Sequence, residues 1–322
     1  MKVQHNCRPT GPVGTVQQER RQAGRLPYKS AILVFILSSV FCLLSSGPQG
    51  FASTTIDTNN PYAYGANIGW ADAFADGTNG AVLGQFYCSG YIYSANVGWI
   101  SLGNTNGPSD GYAYSNLGTD YGVNNVGGSG QLSGMAYGAN IGWITFEQTY
   151  GMPQVNLLTG QLTGYAYSAN VGWIGLSNSV AVLRTDTLSP GPLGTNGLPL
   201  AWQLEYFGNT NVNANADPDG DGMSNLQEYL AGTNPTDPNS RLRITAISAH
   251  TPGSTATLTW TSVPSRLYYV EERTNLTTGA WATNVTLGVV SPDPGSTTTR
   301  TLTDTAASNR FFRVQAIIPL SQ

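Results

Sequence analysis

The sequence predicts a mainly β protein with three parts: a repeated β-meander domain, a short helical connector carrying a calcium loop, and a C-terminal β-sandwich. Three observations carry that reading. The pattern Tyr-x-Ala-Asn-x-Gly-Trp occurs four times, ending at Trp70, Trp99, Trp143 and Trp173. A single stretch, 217–228, places four carboxylates at loop spacing. Beyond Arg241, alternating β-branched and aromatic runs are separated by Pro, Gly, Ser and Asn clusters, which is strand-and-turn patterning.

The composition agrees. Of 322 residues, 39 are Gly, and charged residues make up 10%, against about 7% Gly and about 25% charged in average usage. Residues 31–46 form an apolar run preceded by Lys2, Arg8, Arg20, Arg21, Arg25 and Lys29 and followed by small Gly50 and Ala52. The run is shorter than the ~20 residues of a membrane span. The expectation is a secretory signal, residues 1–52, cleaved before Ser53. The leader holds six of the 14 Lys and Arg and only one acid, Glu19, so the remaining chain carries a net charge of −9 against −4 for the whole. That remainder has no Lys, and its Arg residues all lie at or beyond Arg184. Nucleic acid and anionic membrane surfaces are therefore excluded as partners. Cys88 is the only cysteine beyond the leader and is expected as a packed apolar residue.

Residues 53–183 form the Gly/Trp repeat domain. Its copies are PYAYGANIGW (61–70), GYIYSANVGW (90–99), GMAYGANIGW (134–143) and GYAYSANVGW (164–173), with a degenerate GYAYSNLGTDYG at 111–122. The Trp spacings of 29, 44 and 30 give a unit of about thirty residues. Period-two alternation marks strands, and the Ala-Asn link between them marks a turn, in which Asn tolerates left-handed geometry and bonds its own backbone. A stacked solenoid, a closed barrel-like ring and a small propeller all satisfy this pattern. The repeated Trp and Tyr read first as packing between units. The alternative is a carbohydrate-binding or adhesion surface, with Tyr93, Trp99, Tyr137, Trp143, Tyr167 and Trp173 as candidates and an extracellular glycan or surface protein as partner. The segment resembles Gly-Trp-rich repeats of secreted bacterial proteins, which implies an extracellular compartment.

Residues 184–196 read as a Pro/Gly/Ser/Thr linker. LPLAWQLEYFG (198–208) has near-helical apolar spacing and a terminating Gly208. The sequence DPDGDGMSNLQE (217–228) then fits D-x-[DN]-x-[DN]-G-x5-E throughout. Calcium takes six to eight oxygens. Asp217, Asp219 and Asp221 supply them from positions 1, 3 and 5, the Met223 carbonyl from 7, Asn225 from 9 and Glu228 from 12, while Gly222 permits the sharp turn. The whole of 197–240 resembles the bacterial thrombospondin type 3 repeat. That resemblance implies a structural Ca²⁺ site in an extracellular protein, with Asp237 as a further ligand. Only one loop is present, so the implied role is a clip between domains.

Residues 241–318 alternate in short runs, with Ala256, Leu258 and Trp260 on one face and Phe312, Val314 and Ala316 on another. They are similar to fibronectin type III-like modules, with Trp260 and Trp281 expected in the core. No catalytic constellation is legible. His250 sits in a predicted turn, and Asp72, Asp76, Asp110, Asp120 and Glu147 do not recur at equivalent repeat positions. The functional expectation is a secreted or cell-surface non-catalytic structural protein.

Overall fold

The computed structural model describes residues 54–248, 255–275, 277–303 and 310–321; the leader, Ser53 and His250 lie outside them. The protein is mainly β. Residues 51–322 form one compact unit.

The four repeats are four hairpins of one closed sheet. They are β1 (Ile56–Gly65) with β2 (Gly69–Asp72), β3 (Tyr91–Ser94) with β4 (Gly98–Ser101), then, after β5 (Val123–Asn125), β6 (Leu132–Gly138) with β7 (Gly142–Phe146). A small pair, β8 (Gln154–Val155) and β9 (Leu162–Thr163), precedes β10 (Tyr165–Ser168) with β11 (Gly172–Gly175). Neighbouring hairpins pair in chain order, and β11 pairs back onto β1, which closes an eight-stranded antiparallel barrel. Of the three architectures open to the sequence, the barrel is the one formed. Closure removes the exposed edges that an open meander would leave.

All four hairpins share one register: Tyr64 opposes Trp70, Tyr93 opposes Trp99, Tyr137 opposes Trp143 and Tyr167 opposes Trp173. Side chains alternate between faces along a strand. The pairs one step away, Ala63/Ala71, Ile92/Ile100, Ala136/Ile144 and Ala166/Ile174, therefore point inward, and all are buried. The Tyr and Trp point outward. The expectation that they pack between units is wrong, because units in a barrel join through backbone ladders and leave this face to solvent.

The hairpin turns also correct the sequence reading. The left-handed residue is the Gly that follows, not Asn: Gly69, Gly98, Gly142 and Gly172 have φ of 69°, 79°, 71° and 79°. Three residues separate Gly65 from its partner Gly69, and likewise in the other hairpins, and the left-handed Gly opens the returning strand. The Asn amides are thereby free to reach sideways. Asn96 Nδ2 donates to the Ile68 carbonyl, Asn140 to Val97, Asn170 to Ile141 and Asn67 to Val171, each at 3.0 Å. Each turn thus holds its predecessor, and the fourth bond closes the circle. Inside that circle Ile68, Val97 and Ile141 are buried and Val171 packs on the core, which plugs this end of the barrel.

The stretch 184–196 is not a free linker. Residues Leu183–Thr185 form β12 on β1, Leu188 is buried in the barrel core, and Ser189 N bonds the Leu83 carbonyl at 2.9 Å. Leu188 and Leu198 are apolar and inward-facing, and they anchor a segment whose Pro and Gly content suggested solvent. The connector follows with α1 (Leu200–Phe207), ended by left-handed Gly208, and α2 (Asn225–Ala231), opened by a Ser224/Gln227 capping box and ended by Gly232.

The sandwich has two three-stranded sheets. One is β13 (Ile244–Ile247), β14 (Thr255–Thr261) and, across it, β17 (Thr297–Thr303); the other joins β15 (Leu267–Arg273) to β16 (Ala282–Thr283) and β18 (Phe311–Ile317). Trp260, Leu258, Tyr268, Val270 and Leu302 fill the core between them. Trp281 is not in that core. It is half-buried between the guanidinium groups of Arg273 and Arg313, at 4.6 and 4.7 Å from its ring. Within residues 281–290 only Ala282–Thr283 pairs as a strand, although Val290 bridges to Tyr268.

Candidate functional site

The connector sits where the three parts meet. Leu198, Trp202 and Tyr229 form a small core of their own, with Phe86 from the barrel and Ile318 from beyond β18 packed against it. The loop 217–228 lies on its outer side, and α2 carries the loop's last residues into that core.

The loop is wound by its own carboxylates. One Asp217 oxygen accepts from Gly220 N at 2.8 Å and the other from Gly222 N at 2.9 Å. Asp219 Oδ1 accepts from Asp221 N at 3.2 Å, and Asp221 Oδ1 from Met223 N at 2.8 Å. Gly220 and Gly222 take φ of 78° and 96°, which only Gly adopts at little cost. This winding brings oxygens of Asp217, Asp219 and Asp221 within 4.8 Å of one another, a cluster that could hold a metal ion.

Hydrogen bonding in the loop stops short of completion. Asp219 Oδ2, Asp221 Oδ2, Asn225 Oδ1 and Glu228 Oε2 are buried and have no partner. Asn225 and Glu228 are 2% and 1% exposed. Asn225 spends its Nδ2 on the Asn213 carbonyl at 2.8 Å, and Glu228 spends Oε1 on the Thr233 hydroxyl at 2.6 Å. In each residue one polar atom anchors the side chain and the other is left over. A buried unpartnered polar atom costs roughly 1–3 kcal/mol, and four in one loop are hard to sustain without a ligand. Burial, and then the neighbouring Asp221, Asp219 and Asp217, push the Glu228 carboxyl up to about 7 from 4.5. Burial and the same crowding raise Asp219. Among the described residues no Arg pairs with a loop carboxylate; Arg241 donates instead to the Asp221 backbone carbonyl at 3.1 Å. The donor set is all oxygen, which suits a hard cation.

Glu228 lies outside that group of three Asp, and so does Asp237. Its Oδ1 accepts from Asn239 N at 3.0 Å and Asn239 Nδ2 at 3.2 Å, closing its own turn. Met223 is placed at the seventh loop position with its N–H already bonded to Asp221.

The aromatic candidates Tyr93, Trp99, Tyr137, Trp143, Tyr167 and Trp173 lie on the outer wall of the barrel, joined by Tyr64 and Trp70 of the first repeat. The barrel acids are committed to loop caps. Asp72 accepts from Phe74 N and Ala75 N, Asp76 from Thr78 N and Asn79 N, and Asp110 from Tyr112 N and Ala113 N. Asp120 accepts from Ser109 and Ser115, and Glu147 from Thr149, Tyr150 and Gly151. Hydrogen bonds from Ser115 and Ser109 lower Asp120 to about 2, and those from Gly151 and its neighbours lower Glu147. A carboxyl held as low as that of Asp120 is a poor proton donor near neutrality. Cys88 is buried, and burial pushes its thiol up to about 12. No protein-family model matches the chain, and neither a curated protein nor a solved structure is significantly similar to it.

Proposed function

We propose that this is a secreted or cell-surface, non-catalytic structural protein in which one Ca²⁺ fixes the connector between the barrel and the sandwich. The observation that carries the reading is the set of four unpartnered buried oxygens on Asp219, Asp221, Asn225 and Glu228. These residues stand at positions 3, 5, 9 and 12 of the loop, where a calcium loop supplies side-chain ligands. Asp217 and the Met223 carbonyl complete the set. A bound Ca²⁺ supplies the positive charge that this cluster of acids lacks. Mg²⁺ fits less well, because it holds its waters and prefers one or two carboxylates.

Helix α2 converts binding into rigidity. Its first half carries Asn225 and Glu228. The Tyr229 hydroxyl donates to Gln85 Oε1 of the barrel at 3.0 Å. From the sandwich, the buried Arg266 guanidinium donates to the carbonyls of Tyr229 and of Leu230, the latter at 2.9 Å. An ion that holds Glu228 therefore holds the helix that both β parts grip. The low affinity typical of extracellular modules, Kd about 10⁻⁴–10⁻³ M, suits such a structural ion.

Calorimetric titration of the full chain tests this. One Ca²⁺ per chain is expected, abolished by Glu228→Gln, together with calcium-dependent protection of 217–240 from protease. Equal cleavage of the unaltered chain in calcium and in chelator would overturn the reading.

A further inference from the structure

The outer wall of the barrel carries four copies of one arrangement. Trp70 is flanked by Tyr62 and Tyr64, Trp99 by Tyr91 and Tyr93, Trp173 by Tyr165 and Tyr167, with ring centroids 4.9 to 6.2 Å apart and steeply tilted planes. The third copy has Met135 where the others have their first Tyr. Tyr121, from the degenerate half-repeat, fills the gap at 5.0 Å from Trp143, with Tyr137 on the other side at 4.9 Å. The trio is complete in every quarter of the barrel, even where the repeat itself has lost a ring. The four Trp are 44–47% exposed.

We propose that these four triads are equivalent binding sites for a neutral polysaccharide, and that their spacing makes one chain a cross-linker of glycan strands. The chemistry of the patch selects the ligand. Each triad offers ring faces for the apolar side of a pyranose. Among the described residues, none of the triad Tyr hydroxyls or Trp Nε1–H groups has a protein partner, so each triad also offers three free polar atoms to sugar hydroxyls. Residues 54–183 contain no Lys, Arg or His, and Asp72 lies beside Trp70 on β2. Anionic polysaccharides and phospholipid headgroups therefore meet no cation here. Five of the eight barrel strands have four residues and extend about 13 Å, well short of a bilayer core of about 30 Å.

Geometry sets the valency. Each hairpin occupies two of eight strands, so successive triads face outward a quarter-turn apart. A flat crystalline surface can meet no more than two of them, whereas flexible strands in solution can meet all four. Weak single sites then act together through effective concentration.

The test is native gel electrophoresis of the full chain through hydroxyethyl cellulose, galactomannan or alginate, in calcium and again in chelator. Retardation is expected in at least one neutral gel, none in alginate, and equally in both buffers, which separates this proposal from the calcium reading. Trp→Ala at positions 70, 99, 143 and 173 in turn is expected to weaken retention about ten-fold per site. Turbidity from strand cross-linking should vanish once fewer than two triads remain. Tyr93→Phe keeps the ring and should weaken retention without lowering the melting temperature. On the unaltered chain, the neutral polysaccharide should shield tryptophan fluorescence from acrylamide. A folded chain unretarded in both neutral gels, or retention indifferent to the Trp changes, would overturn the proposal. So would flotation with neutral vesicles, or self-association in scattering, that is lost with the same Trp changes, because a membrane or a second copy would then be the occupant.

Discussion

The barrel and the connector handle their polar groups in opposite ways. In the barrel, Asp72, Asp76, Asp110, Asp120 and Glu147 each close their own loops, and the four turn asparagines bond around a circle that returns to its start. In the connector, four buried oxygens have nothing to bond. Both regions have acids at turn spacing, so composition does not separate them. What separates them is where the leftover carboxylate oxygens lie: the second oxygens of Asp72 and Asp110 accept no protein hydrogen bond either, but they are not buried, whereas those of Asp219, Asp221 and Glu228 are. A complete network stabilises itself, while an incomplete one carries a penalty that a ligand can remove.

The largest effect should come from breaking the self-sufficient side. Ile141 is 4% exposed and plugs the turn end of the barrel. Ile141→Ala should destabilise the protein by about 2–5 kcal/mol in chemical denaturation. If the barrel is independent of the ion, the loss is the same in calcium and in chelator. A loss that shrinks in calcium would show that the two regions are coupled.

The connector should respond to conditions that leave the barrel unmoved. Calcium at a hundred times its Kd stabilises the folded chain by about 2.7 kcal/mol. In chelator the dependence on pH has a definite sign. The folded-state pKa of Glu228, about 7, lies above its ordinary 4.5. The unfolded chain thus releases this proton first, and stability falls as pH rises from about 4.5 to about 7. Below that window the carboxyl is neutral in both states and the penalty is absent. Melting temperatures in chelator should decline across this range and flatten in Glu228→Gln. A wild-type decline no steeper than that of the variant would mean that Glu228 is not the strained group.

How much of this was legible in the sequence follows from the range of the interactions. The calcium spacing is local: positions 217–228 are fixed by adjacent turns, so DPDGDGMSNLQE could be read directly. The hairpins were legible too, because Tyr, Ala and Tyr alternate within a few residues. Which face they turned to solvent was not, since that depends on β11 pairing with β1, over a hundred residues away. The Asn amides were misread for the same reason, their acceptors lying in the neighbouring turn rather than in their own. Trp281 went astray because its neighbours in space, Arg273 and Arg313, come from two other strands. Asp237 was carried in by resemblance; its Oδ1 caps a turn at Asn239, as the Oδ1 atoms of Asp219 and Asp221 cap theirs.

The smallest prediction tests how finely the barrel turns are matched. Around the ring the turns alternate: Gly65 with Ile68, Ser94 with Val97, Gly138 with Ile141, Ser168 with Val171. The small residue accompanies the large one. A Cβ on Gly138 would sit 2.9 Å from Ile141 Cγ1 and 3.4 Å from Ile100 Cγ1. In the other two turns Val is shorter, and the Ser hydroxyl that fits there donates to the preceding Ile carbonyl, at 3.0 Å from Ser94 and 3.3 Å from Ser168. Gly138→Ser alone should therefore overpack the plug and cost about 1–3 kcal/mol. Adding Ile141→Val recreates the pairing of the neighbouring turns and should recover part of that loss, although Ile→Val alone costs about 0.5–1.5 kcal/mol. A positive coupling near 1 kcal/mol in the double-mutant cycle is the expected result. Simple additivity would mean that the alternation is incidental and that the Asn circle alone holds the turns in place.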